Sequence, residues 1–365
     1  MVAGQKLSDR SPLDTEVPGD ESDFLARIQA QSLRPLWARP EQPTAPLALV
    51  RPWVWHYAPA RALLLEAAER LDLGGKGGVD RRVLTMANPS LPDLPTTRTL
   101  SGALQLVHPG ETAPSHRHSL AALRFIIEGE GGRTVVDGEP VPMEPGDVVL
   151  TPGWSWHGHV HEGPETMVWL DVLDGPLVRA IDVAFHEEYS SPKSLQPVVE
   201  PSAVALATAS TTDLLPTSSY GETAGRPPLR RFGIDATLAV FETLKKRERG
   251  DGTYSLRFTD PRSGGSVMPT IGAGMQLIEG GAQSPLRRDT ANRIYHVARG
   301  TGFSIIDGER FDWGPHDTFC VPTWCAATHG AQGGEALLFV ADDEPAQRAL
   351  SLYRDEAEPP GRSES

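Results

Sequence analysis

The chain has 365 residues, enough for two domains or one large one, with a hydrophobic fraction of 39% and a charged fraction of 22%, as in a water-soluble globular protein. Its formal charge of −14 argues against nucleic acid or an anionic membrane as partner, although local arginines can still make a pocket cationic. The two cysteines, Cys320 and Cys325, form neither a disulfide framework nor a CxxC motif, and no run approaches the length of a membrane-spanning helix. With a polar, acidic start and no apolar signal region, a reducing cytoplasm is the expected compartment.

In chain order, residues 1–20 read as a disordered arm rich in Ser, Asp, Pro and Gly. Residues 21–95 read as helices and an extended segment that pack on the β regions further along the chain. The spacing of Phe24, Leu25, Ile28 and Leu33 predicts a helix over Glu21–Leu33, with Asp20 or Ser22 as cap. A proline-rich stretch, Pro35–Pro46, carries Trp37 as an anchor. A second helix is predicted over Ala58–Leu71, with Pro59 in its first turn and Gly74-Gly75 beyond its end.

Strands and glycine turns then alternate. Asp80–Met86, Gly102–His108, Ala122–Ile127, Arg133–Val136, Asp147–Leu150 and Thr166–Leu173 are the predicted strands. Asp137-Gly138 between apolar runs is a hairpin signal, and short strands at this spacing indicate a sandwich or barrel over 96–178. The pattern breaks over 179–250, read as a linker region with a Ser/Thr/Ala-rich tract at 201–219 and a helix near Leu238–Lys246. A second β region, 251–345, comes next, and 346–365 is read as a closing helix, Ala346–Tyr353, with a loose tail.

The second β region repeats the first. Gly281–Arg287 parallels Gly110–His116, Gly300-Thr301-Gly302 parallels Gly129-Glu130-Gly131, and Asp307-Gly308-Glu309 parallels Asp137-Gly138-Glu139. Asp317 through Pro322 parallels Asp147 through Pro152. An internal duplication of a β barrel is the expectation.

The copies differ in their histidines. His116-Arg117-His118 places two imidazoles at spacing two, hence on one side of a strand, and His157 on a later strand can join them around one metal ion. The second copy has Arg287, Asp289 and Ala327 at those positions, and its His329 corresponds to His159. His296 and His316 match no ligand position. The second barrel is therefore expected to lack the metal and to serve as a structural element. Three histidines plus water would also suit zinc, so spacing alone leaves the metal open.

The first barrel's string is Leu104-Gln105, Pro109–Pro114, His116-Arg117-His118-Ser119, Arg124-Phe125, Glu128–Gly131, Thr151-Pro152-Gly153-Trp154 and His157-Gly158-His159. Its Gly-x5-His-x-His and Gly-x5-Pro-x4-His spacings resemble the two motifs of the cupin barrel. With Arg81-Arg82, Ala87-Asn88-Pro89 and Met268-Pro269-Thr270, the likeness spans about residues 33 to 355. It is similar to the gentisate and salicylate 1,2-dioxygenases, together with 1-hydroxy-2-naphthoate dioxygenase.

That resemblance implies a mainly β bicupin: two double-stranded β-helix barrels with short N-terminal, linker and C-terminal helices. It further implies one Fe(II) per chain in the N-terminal cupin on His116, His118 and His157, and cleavage of the ring of a 2-hydroxybenzoate-type acid by O2 between its carboxyl- and hydroxyl-bearing carbons. It implies a homotetramer as well. Gentisate is the first expected substrate; salicylate, a substituted salicylate or 1-hydroxy-2-naphthoate are alternatives. A metal- or ligand-binding bicupin without oxygenase activity is the reading from another class. The glutamate that many cupins add after the HxH motif is absent, with Ala122 and Leu123 in its place.

Arg124, at even spacing from His118, is expected on the ligand face as a two-pronged clamp for the substrate carboxylate, with a surface arginine as the plainer reading. Arg81 and Gln105 are further substrate contacts, and Trp154 is a pocket wall. His159 is expected to move protons. Asp171 is expected to orient a histidine, with a buried carboxylate satisfied by backbone as the plainer alternative. Ser101 stands where the family usually has a large aromatic, which bears on ring size and substituents. His108 and His161 read as loop or outward-facing positions, and His56 as a packing residue.

Overall fold

A computed structural model describes residues 21–38, 43–73, 79–93, 95–190, 195–199, 230–247, 250–260 and 263–356. The expected arm at 1–20, the 201–219 tract, Gly74-Gly75 and the final tail lie outside them. Residues up to Ala45 form one unit, with a helix over Glu21–Ala30 and a short 3-10 turn over Leu36–Ala38. The helix stops before Leu33 because Ser32 turns left-handed, with φ 56°, and Trp37 is exposed rather than an anchor.

From Pro46 onward the chain is a second compact unit holding both barrels. The first barrel is two facing sheets. One runs, edge to edge, His186–Glu188, Thr112–His118, His157–His161, Gly132–Val136 and Glu139–Met143. The other runs Arg231–Phe232, Val148–Thr151, Ala122–Glu128, Met167–Leu173, Ser101–Val107 and Arg82–Thr85. Side chains alternate across each strand, so Leu104, Leu106, Leu123, Phe125, Leu170 and Val172 leave the barrel while Gln105, Arg124, Trp169 and Asp171 enter it. One end of the interior is plugged by Val107, Ile126, Val136, Met143, Val149, Met167 and Trp169. The other end is left for polar groups.

In the second barrel two long strands, Arg293–Ile306 and Ala327–Asp342, carry the sheet around, with register shifts near Val297 and Arg299. The outward faces of the two barrels share a core in which Phe125 stacks on Phe339 at 5.0 Å. The repeated Asp-Gly turns have the same backbone: Asp137 and Gly138 at φ 51° and 90°, Asp307 and Gly308 at 47° and 83°. Two positive φ angles in succession are what a two-residue hairpin turn requires.

Two segments read as peripheral are woven in. Trp53–Trp55 pairs antiparallel with Thr318–Val321, adding an edge to the second barrel. Arg231–Phe232, from the region read as linker, pairs with Val148 and Val149 of the first. The helices fall at Tyr57–Arg70, Gly175–Ala180, Ile234–Arg247 and Glu344–Ala349. The last ends before Tyr353 because Ser351 is left-handed at φ 59°.

At Gly163 the chain passes so close to the Glu128–Gly132 turn that an added Cβ would sit 1.7 Å from the Glu130 carbonyl oxygen. A backbone oxygen cannot swing away as a side chain can. Gly163→Ala should therefore lower stability by about 1–3 kcal/mol, read as an earlier urea midpoint. An unchanged midpoint would mean that the two backbones are not in contact.

Candidate metal centre and aromatic-acid pocket

His116, His118 and His157 arrive from neighbouring strands. His116 and His157 face each other across the pairing of Thr112–His118 with His157–His161. The ligand nitrogens of all three lie within 4.8 Å of one another. Two of the rings are oriented by backbone: His118 Nδ1 donates to the Leu120 carbonyl at 2.7 Å, and His157 Nδ1 donates to the Ser155 carbonyl at 3.0 Å. That leaves their Nε2 lone pairs for a cation, and His157 Nε2 is buried with no partner. Three neutral imidazoles with no carboxylate among them fit a divalent first-row metal with open positions.

Burial is the main reason these imidazoles resist protonation. His116 is held down to about 2 and His118 to about 4, with Arg81, Arg124 and the neighbouring histidines adding repulsion at both or one of them. His157 lies well below its ordinary value for the same reasons. The neutral form is the ligating form, so protons compete with metal only as pH falls through these low values. Metal affinity should be nearly constant from pH 7 to about 5 and collapse below about 4, as His118 titrates. Loss beginning near the ordinary histidine value of 6.5 in a metal-retention titration would contradict this environment.

Arg81 and Arg124 reach the same pocket. Arg81 Nη2 lies 2.6 Å from His116 Nδ1 and donates to the Pro114 carbonyl at 2.5 Å, while its neighbour Arg82 turns away to Glu111. An imidazole that gives Nε2 to a metal keeps a proton on Nδ1, so the Arg81–His116 contact and metal binding through Nε2 exclude each other. Burial and the nearby Arg124 guanidinium pull Arg81 down to about 10.

Arg124 does face inward, but by a different route from the one its spacing suggests. The strand breaks after His118 and resumes at Ala122 in the opposite sheet, from which Arg124 points back at the histidines. Its Nη1 donates to Thr151, a contact that no sequence pattern indicates, and its Nε lies 3.0 Å from Asp171 Oδ1. That second contact is at ion-pair distance without hydrogen-bond alignment.

Asp171 is corrected by the same geometry. It stands directly across from Arg124 in the sheet and accepts from Trp169 Nε1 at 2.9 Å. It balances a guanidinium and, among the described residues, orients no histidine. Its burial raises its pKa, and Arg124 pulls the other way.

His159 is buried beside the triad, with Nδ1 at 3.0 Å from Thr134 Oγ1 and Nε2 unpartnered. Gln105 is buried opposite Trp169, with a free side-chain Nε2. Ser101 lies half-buried opposite Leu173, two registers beyond Gln105 along the same face. Trp154 sits at the rim: the residue is 57% exposed and its ring stacks on Phe185 at 5.2 Å, while its backbone N–H donates to the His118 carbonyl. His161, read as a loop or outward position, is a buried strand residue whose ring reaches the Glu165 carbonyl. His186 was missed. Its ring lies 5.1 Å from that of His116, because His186–Glu188 pairs onto the HxH strand. With Arg81, Ser115 and Glu188 it borders a cavity of about 270 Å³ beside His116.

Two joined barrels of this topology define a bicupin, and the three convergent histidines of the first could hold a metal ion. The cupin-domain family matches residues 103–173. The chain is 33% identical to a gentisate 1,2-dioxygenase of Aquipseudomonas alcaligenes over 93% of this chain and 98% of that one. It is 33% identical to a 5-aminosalicylate 1,2-dioxygenase of Comamonas sp over 84% and 82%. The crystal structure of salicylate 1,2-dioxygenase from Pseudoaminobacter salicylatoxidans, an adduct with gentisate, superposes with a TM-score of 0.82 at 29% identity, covering 97% and 99% of the two chains. The chain belongs to the gentisate and salicylate 1,2-dioxygenase family, and it is a ring-cleaving dioxygenase.

Proposed function

We propose that this enzyme holds one Fe(II) on His116, His118 and His157 and opens the ring of a 2-hydroxybenzoate-type acid between its carboxyl- and hydroxyl-bearing carbons, with gentisate as first substrate. The observation that carries this reading is the convergence of three neutral imidazoles and two guanidiniums on one largely buried pocket, where the Asp171 carboxylate faces Arg124 and not the imidazoles. Bound Fe(II) would supply a redox-capable Lewis acid with positions left open for the acid and O2.

The protein's own groups do the rest. Arg124 and Arg81 receive the substrate carboxylate, Arg81 once metal binding has displaced it from His116. Gln105 Nε2 is a donor for a ring substituent, and His159 Nε2 is placed to hold the proton that leaves the ring hydroxyl. The apolar plug formed by Ile126, Val149 and Trp169 closes the pocket floor to water. A small Ser101 on the same face favours tolerance of a bulkier ring, so a substituted salicylate or 1-hydroxy-2-naphthoate is the second reading. Two free buried cysteines fit a cytoplasmic enzyme. A homotetramer is the assembly proposed, in keeping with the family likeness.

The test is anaerobic loading with Fe(II), metal analysis, then oxygen uptake with gentisate, salicylate, 5-aminosalicylate and 1-hydroxy-2-naphthoate. One iron per chain and fastest uptake with gentisate are expected. Iron binding without uptake on any of them would favour a ligand-binding bicupin.

A further inference from the structure

We propose that the mouth of the second barrel is a binding site for a small carboxylate with an apolar or aromatic body. A cavity of about 420 Å³ opens there, within the size range of small-molecule sites. Arg257, Arg287 and Arg293 contribute to its wall, with Tyr295, Gln276 and His329, and among the described residues no Asp or Glu lines it. The carboxylates that pair with these arginines sit behind the wall: Asp289 accepts from both Arg287 and Arg293, and Asp342 from Arg257. Glu344 lies 3.7 and 3.8 Å from Arg287 and Arg293 and is shared with Arg348. The three wall guanidiniums are thus matched by three carboxylates, none of which is among the described residues that line the cavity.

Donors remain unspent. Arg287 uses Nε on Asp289 and Nη2 on the Tyr353 hydroxyl, which leaves Nη1. The Tyr295 hydroxyl has no hydrogen-bond partner among the described residues, and its ring is fixed by stacking on Phe319 at 5.0 Å. Leu256, Met275, Val321 and Val340 add apolar surface to the wall, beside Thr253, Ser255 and Ser284. A charge-assisted pair with apolar side chains in the same wall suits a carboxylate on an apolar body better than a bare anion.

The site corresponds to the first barrel's metal pocket with its cation replaced. Arg287 bridges to Ala327 as His116 pairs with His157. His329 is held by Ser304 at 2.8 Å as His159 is by Thr134 at 3.0 Å. Gln276, opposite Leu338, stands where Gln105 stands opposite Trp169. A guanidinium stands where the first barrel would offer a metal ion to a carboxylate, while the hydrogen-bonding frame persists.

The experiment is anaerobic equilibrium dialysis of radiolabelled benzoate against the iron-loaded full chain, with acetate and inorganic phosphate as competitors. Ala327→Leu, which fills the cavity, should lower the number of benzoates bound per chain by one while ring cleavage at the first barrel stays at the wild-type rate. Arg287→Gln, at a half-exposed side chain, should weaken that same benzoate by about tenfold or more. Unchanged benzoate stoichiometry and affinity in both variants would overturn the proposal. So would phosphate displacing benzoate at lower concentration than unlabelled benzoate itself, which would mark a bare anion site.

Discussion

His157→Ala should leave the first barrel without metal and the enzyme without ring-cleaving activity. His157 is the innermost member of the triad, 1% exposed, with its ring 4.3 Å from that of His116 and 4.8 Å from that of His118. Its tautomer is set by the Ser155 carbonyl, so its free Nε2 is committed to the centre. Changes to groups that merely orient a ligand already cost about 10–100-fold in metal affinity, and loss of the ligand itself should cost more. Iron per chain and oxygen uptake should fall together, while His186→Ala, beside the site on an exposed edge strand, should retain its iron. Full iron occupancy in His157→Ala would remove it from the ligand set.

Arg124→Met should cost both stability and catalysis, and the two losses can be separated. Arg124 and Asp171 are a fully enclosed pair, with side-chain exposures of 4% and 8%. Removing one partner strands the other charge in the interior, which typically costs about 3–5 kcal/mol. The double variant Arg124→Met/Asp171→Leu replaces both charges with apolar groups and should recover most of that stability. It should not recover substrate binding: KM for the aromatic acid should remain roughly a hundredfold or more above wild type, because the carboxylate has lost its buried guanidinium. Iron binding should survive in both variants. If the double variant regained wild-type KM, Arg124 would serve only to neutralise Asp171.

What was legible in the sequence depends on the range of the forces involved. The turns were legible because Asp-Gly and Gly-x-Gly sequences encode local backbone geometry, and Asp137-Gly138 and Asp307-Gly308 have the φ angles such turns need. Repetition of those turns disclosed two barrels, and the loss of histidines in one of them singled out the other. Pairings between distant segments were not legible. Nothing local in Trp53–Trp55 says that it will join the second barrel, or in Arg231–Phe232 that it will join the first. Asp171 was misassigned for the same reason: its cross-strand partner depends on register, and register placed Arg124 there rather than a histidine. His161 is a polar residue buried on a strand, and only the Glu165 carbonyl it reaches explains why it can be. His186 lies beyond the barrel motif, and only strand pairing brings it beside His116.

A dioxygenase inserts both atoms of O2 into its substrate, here an aromatic acid held at the first-barrel site. The most direct test of this is turnover of gentisate by the Fe(II)-loaded enzyme under ¹⁸O2, with mass spectrometry of the ring-opened product. Two labelled oxygen atoms per product molecule, and none formed by His157→Ala, is the expected result. Unlabelled or singly labelled product under conditions that prevent exchange with water, or equal turnover by His157→Ala, would contradict it.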